Sequence, residues 1–219
     1  MAIITDISPQ KKDQKRFNIF IDGAFAFGIS ADLRFEKKLK TGQTISEKDV
    51  KSLIVADQTE RLLNKALKFL SFRPRSEQEV RVYLLRRGKL KDIEKSESEK
   101  KEYEKSIDEV ILKLRGFSYL DDKEFASWWL DQRTKYKLSG GYLIKSELIQ
   151  KGVDKEIIKE ILDGLDEEKM ALEVAKKKTI SYKKMNKEEL KIKLGQFLAR
   201  RGFNWSTIKK VVDTLLKNQ

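Results

Sequence analysis

The run Tyr83-Leu84-Leu85-Arg86-Arg87-Gly88 recurs as Glu147-Leu148-Ile149-Gln150-Lys151-Gly152 and again as Phe197-Leu198-Ala199-Arg200-Arg201-Gly202. Four residues before each glycine stands a leucine, Leu84, Leu148 or Leu198, and eight before it Val80, Ile144 or Leu194. Positions so spaced share one helix face. A basic residue, Arg87, Lys151 or Arg201, precedes each glycine. The pattern predicts a helix ended by glycine in the left-handed region, which glycine adopts more cheaply than other residues.

Downstream, an apolar stripe follows the second glycine as Ile158, Ile161, Leu162 and Leu165, and the third as Ile208, Val211, Val212 and Leu215. In the first copy the equivalent stripe, Ile107, Val110, Ile111 and Leu114, arrives thirteen residues late. The surplus falls in Lys89–Ser106, a Lys/Glu/Ser-rich stretch that reads equally as solvated helix or loop. With it removed, the spacing from Gly88 to Gly152 is 51 residues, against 50 from Gly152 to Gly202.

Each unit also has a leading helix: Leu62–Leu70, then the segment with Phe125, Trp128 and Trp129, then Met170–Lys178. Ser46 with Asp49, Ser76 with Glu79 and Asp121 with Glu124 have the spacing of a helix cap. These features define three tandem three-helix units, none with enough apolar positions for a core of its own, so neighbours must stack. The expected fold is mainly α, an elongated, curved array of three such repeats.

The front differs. Arg16-Phe17-Asn18-Ile19-Phe20-Ile21 and Ala24-Phe25-Ala26-Phe27-Gly28-Ile29 flank Asp22-Gly23, a strong signal for a two-residue hairpin turn. A small antiparallel β-rich extension is expected here, packed on the neighbouring downstream segment because it is too small to stand alone. The expected boundaries are 1–45 for this extension, 46–118 for a linking helix and the first repeat, 119–165 for the second and 166–219 for the third.

Charged residues make up 38% of the 219-residue chain and apolar residues 39%, which argues against one large core. The absence of His and Cys removes Ser-His-Asp and Cys-His catalysis, zinc sites built on those residues, and disulfides. No phosphate-binding glycine loop is found, and helix capping explains Asp121-Asp122 more simply than magnesium does. The expectation is no catalysis, no metal and no cofactor. No apolar run approaches the ~18 residues a membrane helix requires, and the amino end has no secretory pattern, so a soluble cytoplasmic monomer is expected.

The net charge is +13, with +6 in residues 61–118 and +7 in 166–219, against +1 in 1–60 and −1 in 119–165. Clusters occur at Arg73, Arg75, Arg81, Arg86, Arg87 and Lys89, and at Lys176, Lys177, Lys178, Lys183, Lys184, Arg200, Arg201, Lys209 and Lys210. Singly these read as solvated surface; together they favour a polyanionic or acidic partner. Charge alone selects Arg73, Arg75, Arg81, Arg86, Arg87, Lys151, Arg200, Arg201, Lys209 and Lys210 as candidate partner- or DNA-binding residues. Tyr83, Trp128, Trp129, Tyr136, Tyr142 and Trp205 could stack on bases, but most read as core, and adjacent Trp128 and Trp129 are expected to point apart.

The run Ala66-Leu67-Lys68-Phe69-Leu70-Ser71-Phe72-Arg73-Pro74-Arg75-Ser76-Glu77-Gln78-Glu79-Val80 resembles the signature of the bacterial regulatory protein family RecX. Tyr119-Leu120-Asp121-Asp122-Lys123-Glu124-Phe125-Ala126, with Glu147–Gly152 downstream, is similar to it as well. The resemblance spans about 60–215, and Phe20-Ile21-Asp22-Gly23 resembles the extension of longer members. It implies a modulator of the recombinase RecA in recombination, DNA repair and the SOS response. Such a protein binds the RecA filament on single-stranded DNA and restrains ATP hydrolysis, strand exchange and coprotease activity. Two other readings stay open: a nonspecific single-strand binder, and a helical adaptor for an unrelated acidic protein.

Overall fold

The computed structural model describes residues 1–89, 96–182 and 185–217. Among these are four strands and ten α-helices. Strands β1 (Ala2–Pro9), β2 (Arg16–Ile21), β3 (Ala24–Ser30) and β4 (Thr44–Ile45) form one antiparallel sheet in the order β3-β2-β1-β4. Asp22 and Gly23, with φ of 51° and 84°, make the β2–β3 turn, as the hairpin signal predicts. Short helix α1 (Ala31–Glu36) comes next, capped by the Ser30 hydroxyl.

The chain divides into two compact units. One comprises 1–72 and 80–119, the other 73–79 and 120–219.

In the first unit, α2 (Glu47–Leu70) is one continuous helix of 24 residues, about 36 Å long. Ser46 and Asp49 close a reciprocal capping box at its start. The sheet buries Ile4, Ile19, Phe27 and Ile29 together with Leu53 of α2, so the small β unit does complete its core on the long helix downstream of it. Arg16 of β2 grips Asp57 of α2 through two bonds of 3.0 and 2.8 Å, and the Ser30 amide donates to the same carboxylate. Helices α3 (Glu77–Lys89) and α4 (Glu97–Gly116) complete the first triplet. Ile107, Val110, Ile111 and Leu114 of α4 are buried, as are Val80 and Leu84 of α3.

Residues 97–106 are helical, opened by a Ser96–Glu99 capping box. Most of the inserted stretch therefore lengthens α4, while its residues 90–95 lie outside the described ones. Gly88 departs from the expected cap: it lies within α3, in helical conformation. A Cβ there would stand 2.5 Å from the Tyr103 ring, whose hydroxyl donates to the Leu84 carbonyl at 3.0 Å. Close approach of an aromatic ring, and not positive φ, makes glycine fit this position.

The second unit holds the other two triplets. Helices α5 (Asp122–Gln132), α6 (Gly141–Gln150) and α7 (Lys155–Leu162) bury Phe125, Ile144, Leu148 and Ile158. Helices α8 (Glu167–Thr179), α9 (Lys187–Arg200) and α10 (Trp205–Lys217) bury Leu190, Leu194, Leu198, Ile208 and Val211. A π-helical turn, Arg133–Lys137, extends α5, and Leu138 then takes a left-handed conformation at φ 49°. Gly152 and Gly202, at φ 76° and 83°, end α6 and α9 as expected. After each glycine, an apolar residue (Val153 or Phe203) is buried and bonds back to the Leu148 or Leu198 carbonyl.

Candidate functional site

The second unit is held by two junctions built alike. At the first, the opening of α3 rests on the turn that ends α6. The Ser76 hydroxyl donates to the Lys151 carbonyl at 2.7 Å, and the Glu77 amide donates to Asp122, the first residue of α5, at 2.8 Å. At the second, the opening of α6 rests on the turn that ends α9. The Gly140 amide donates to the Arg201 carbonyl at 2.8 Å, and the Gly141 amide to Glu167, the first residue of α8, at 2.8 Å. Backbone lies against backbone here: a Cβ on Gly140 would sit 2.4 Å from the Gly202 carbonyl oxygen.

The first junction gathers two of the ten candidate cations. Arg73 holds Glu79 in a fork, at 3.1 and 3.0 Å, and Lys151 Nζ donates to Glu79 Oε1 at 2.6 Å. The Trp129 indole lies beside them: Lys151 Nζ is 4.2 Å and Arg133 Cζ 4.3 Å from its ring centre. Its N–H and the Arg133 Nε both donate to Glu147 Oε2, at 2.8 and 2.6 Å. Burial, the largest influence, pushes the Glu79 carboxyl up, but the bonds from Arg73 and Lys151 prevail and hold it below the usual carboxylate range. Ser76 caps Glu79 as its spacing predicts, at 3.1 Å, yet the Glu79 carboxylate turns to these two cations.

Trp128 and Trp129 depart from expectation. Both rings pack on Phe125, with centroid separations of 6.1 and 5.9 Å, and both have Arg73 within 6 Å. Indoles are large enough to converge on one partner although their Cα–Cβ bonds diverge by a helical step.

The other candidates divide by their surroundings. Arg201 donates to the Lys137 carbonyl and lies over Phe197, so like Lys151 it reaches back across its junction. Arg75 is half-buried, and burial followed by the nearby Arg73 lowers its pKa. Arg81 pairs with Asp108 at 2.6 Å and Lys210 with Glu168 at 3.4 Å. Arg86, Arg87, Arg200 and Lys209 are exposed and have no carboxylate partner among the described residues. Lys183, Lys184 and the Lys89 side chain lie outside the described residues. Tyr136, Tyr142 and Trp205 are exposed by 77%, 76% and 73%, so half of the six aromatics read mostly as core are surface groups instead. Asp121 caps α5 and Asp122 takes the Glu77 amide. No group of three or more acidic residues placed to hold a metal occurs among the described residues, and none of their helices is long and apolar enough to cross a membrane.

Four family models match the chain: the regulatory protein RecX N-terminal domain over residues 2–46, and the first, second and third RecX three-helix domains over 63–93, 121–162 and 166–212. A regulatory protein RecX from Bacillus subtilis is 33% identical over 98% of this chain and 78% of its own length. Another from Listeria monocytogenes is 34% identical over 96% and 74%. A crystal structure of regulatory protein RecX superposes with a TM-score of 0.70 at 26% identity, covering 97% of this chain and all of that one. The RecX structure from Lactobacillus salivarius shares the fold at a TM-score of 0.59 and 24% identity, over 73% of this chain and 97% of its own.

Proposed function

The chain belongs to the RecX family of regulatory proteins, and from that premise we propose that it is a non-enzymatic negative regulator of the RecA recombinase. It binds the filament that RecA forms on single-stranded DNA and inhibits ATP hydrolysis, strand exchange and coprotease activity by occupying the filament. Relatives are named regulatory proteins, which supports a role in control over one in catalysis.

One observation carries the reading. Of the ten charge-selected candidates, those that remain exposed without a carboxylate partner among the described residues (Arg86, Arg87, Arg200 and Lys209) lie at or near the ends of α3 and α9 and on α10. Arg73, Lys151 and Arg201 are committed to internal junctions. A phosphate or carboxylate surface can therefore engage the first group without dismantling the fold.

That division sets the test. Arg86→Glu with Arg87→Glu, and separately Arg200→Glu with Lys209→Glu, should each raise the concentration needed for half-inhibition of the recombinase's DNA-dependent ATPase by roughly tenfold or more, with unchanged thermal melting. Arg81 is a poorer choice, because its reversal sets a carboxylate beside Asp108. Undiminished inhibition by both double variants would count against these faces.

A further inference from the structure

In the first unit, α1 and the segment that follows it form an open groove of about 640 Å³ beside Phe17 of β2. Leu39 lines it from below, buried in the core that the sheet shares with α2. Phe35 lines it from outside and is 86% exposed, more than any other large apolar side chain among the described residues except Met1. Arg34, Lys38 and Lys40 line the same groove against a single carboxylate, Asp32. Arg34 covers one face of the Phe17 ring, 4.4 Å from its centre. Glu36, the other acid of α1, is taken by Lys37 at 2.8 Å, and none of the three lining cations has a carboxylate partner among the described residues.

The turn that carries these residues is fixed. The Lys38 amide donates to the Phe35 carbonyl and the Leu39 amide to the Arg34 carbonyl, both at 3.1 Å, closing α1 in the paired pattern that ordinarily puts glycine at the left-handed position. Here that position is Lys38, at φ 50°. Glycine would adopt it with less strain, so the lysine is kept there at the expense of stability. Strain retained at a residue lining a groove points to a use for its side chain.

Charge and apolar surface together select the occupant. Three cations beside one carboxylate complement an acidic segment. Leu39 and the two phenylalanines suit an apolar side chain, whereas a nucleic-acid base would press polar edges against them. We propose that this groove docks a partner protein through an acidic segment bearing one aromatic or aliphatic anchor. The anchor seats on Leu39 between Phe17 and Phe35, and the flanking carboxylates meet Arg34, Lys38 and Lys40. The proposal stands apart from the recombinase reading, since the groove lies within the first unit and is probed with synthetic peptides.

The experiment follows leucine methyl NMR signals of the full-length protein at near-physiological salt. The probes are an acetylated peptide with a central phenylalanine flanked by glutamates, the same peptide with a central alanine, and octathymidylate. The Leu39 signals should move saturably with the phenylalanine peptide while those of Leu198, in the second unit, stay still. The alanine peptide should bind roughly fivefold more weakly or worse, and Phe35→Ala and Lys38→Gly should each weaken the phenylalanine peptide by a similar factor. Lys38→Gly should also leave the urea midpoint at or above that of the parent, so that its weaker binding does not come from unfolding. Static Leu39 signals, equal affinity for the two peptides, or unchanged affinity in both variants overturns the proposal. Octathymidylate moving the Leu39 signals at equal or higher affinity overturns it too, and makes the groove a nucleic-acid surface.

Discussion

Gly152 and Gly202 occupy equivalent turns, yet a methyl group meets different matter at each. Both have positive φ, so alanine is strained at either, by about 1 kcal/mol or more. At Gly152 the new Cβ stands 2.5 Å from the Gln78 Cβ, on an exposed residue at the start of α3. At Gly202 it stands 2.6 Å from the backbone nitrogen of Leu143, which cannot swing aside. Urea denaturation should therefore show Gly202→Ala to be the more destabilising; equal stability of either variant with the parent would refute the left-handed turn there. Gly88 shares the sequence pattern but not the conformation. Its partner, Tyr103, sits inside the insertion, so no periodicity could have revealed the contact.

Glu79 makes a second prediction at this scale. Its folded pKa is depressed, so its contribution to stability is present above the unfolded value of about 4.3 and is lost as pH falls through the folded one. Urea melts between pH 3 and 7 should show Glu79→Gln less stable than the parent at neutral pH, with the gap narrowing in acid. A gap that does not change with pH would show that Arg73 and Lys151 do not act through its charge. That Arg73 and Lys151 face inward was not legible in the sequence, because charge alone does not say which carboxylate a long side chain will find. The Glu79 spacing from Ser76 was visible but was explained by capping alone.

Among the elements, helix periodicity was the most legible feature. Stripes at four-residue spacing placed the buried faces of α3, α4, α6, α7, α9 and α10, since burial along a helix tracks its period. The Asp22-Gly23 turn was equally plain, because few dipeptides tolerate two positive φ values in succession. Less legible was the union of two stripes, Val50–Ile54 and Leu62–Leu70, in one helix: nothing between them breaks α2, and the register merely drifts. In α4 the Ser96–Glu99 box gave a start signal that the charge-rich composition hid.

The junction between elements is itself testable. Ser76 is fully buried, caps Glu79 and donates to the Lys151 carbonyl. Ser76→Ala should cost about 1–2 kcal/mol in urea denaturation, because it strands a carbonyl and an amide together. A loss below a few tenths would mean that α3 does not depend on this contact. In the second junction the Gly140 backbone amide does the same work, and the two unlike residues concealed the equivalence from any comparison of side chains.

For the molecule as a whole, composition excluded more than it specified: the lack of His and Cys removes the catalytic and zinc chemistries built on those residues, and a +13 charge favours anionic partners without naming one. The proposed partner rests on family resemblance and not on physics, since exposed arginines suit DNA phosphates and acidic protein surfaces alike. The measurement that separates these is one titration, at a single near-physiological salt concentration, of the protein against a bare single-stranded oligonucleotide, the free recombinase, and the recombinase filament on that oligonucleotide. The account predicts binding to the filament at least tenfold tighter than to either component alone. Affinity for the bare oligonucleotide equal to that for the filament, falling steeply with salt, would contradict it and make the protein a simple strand binder.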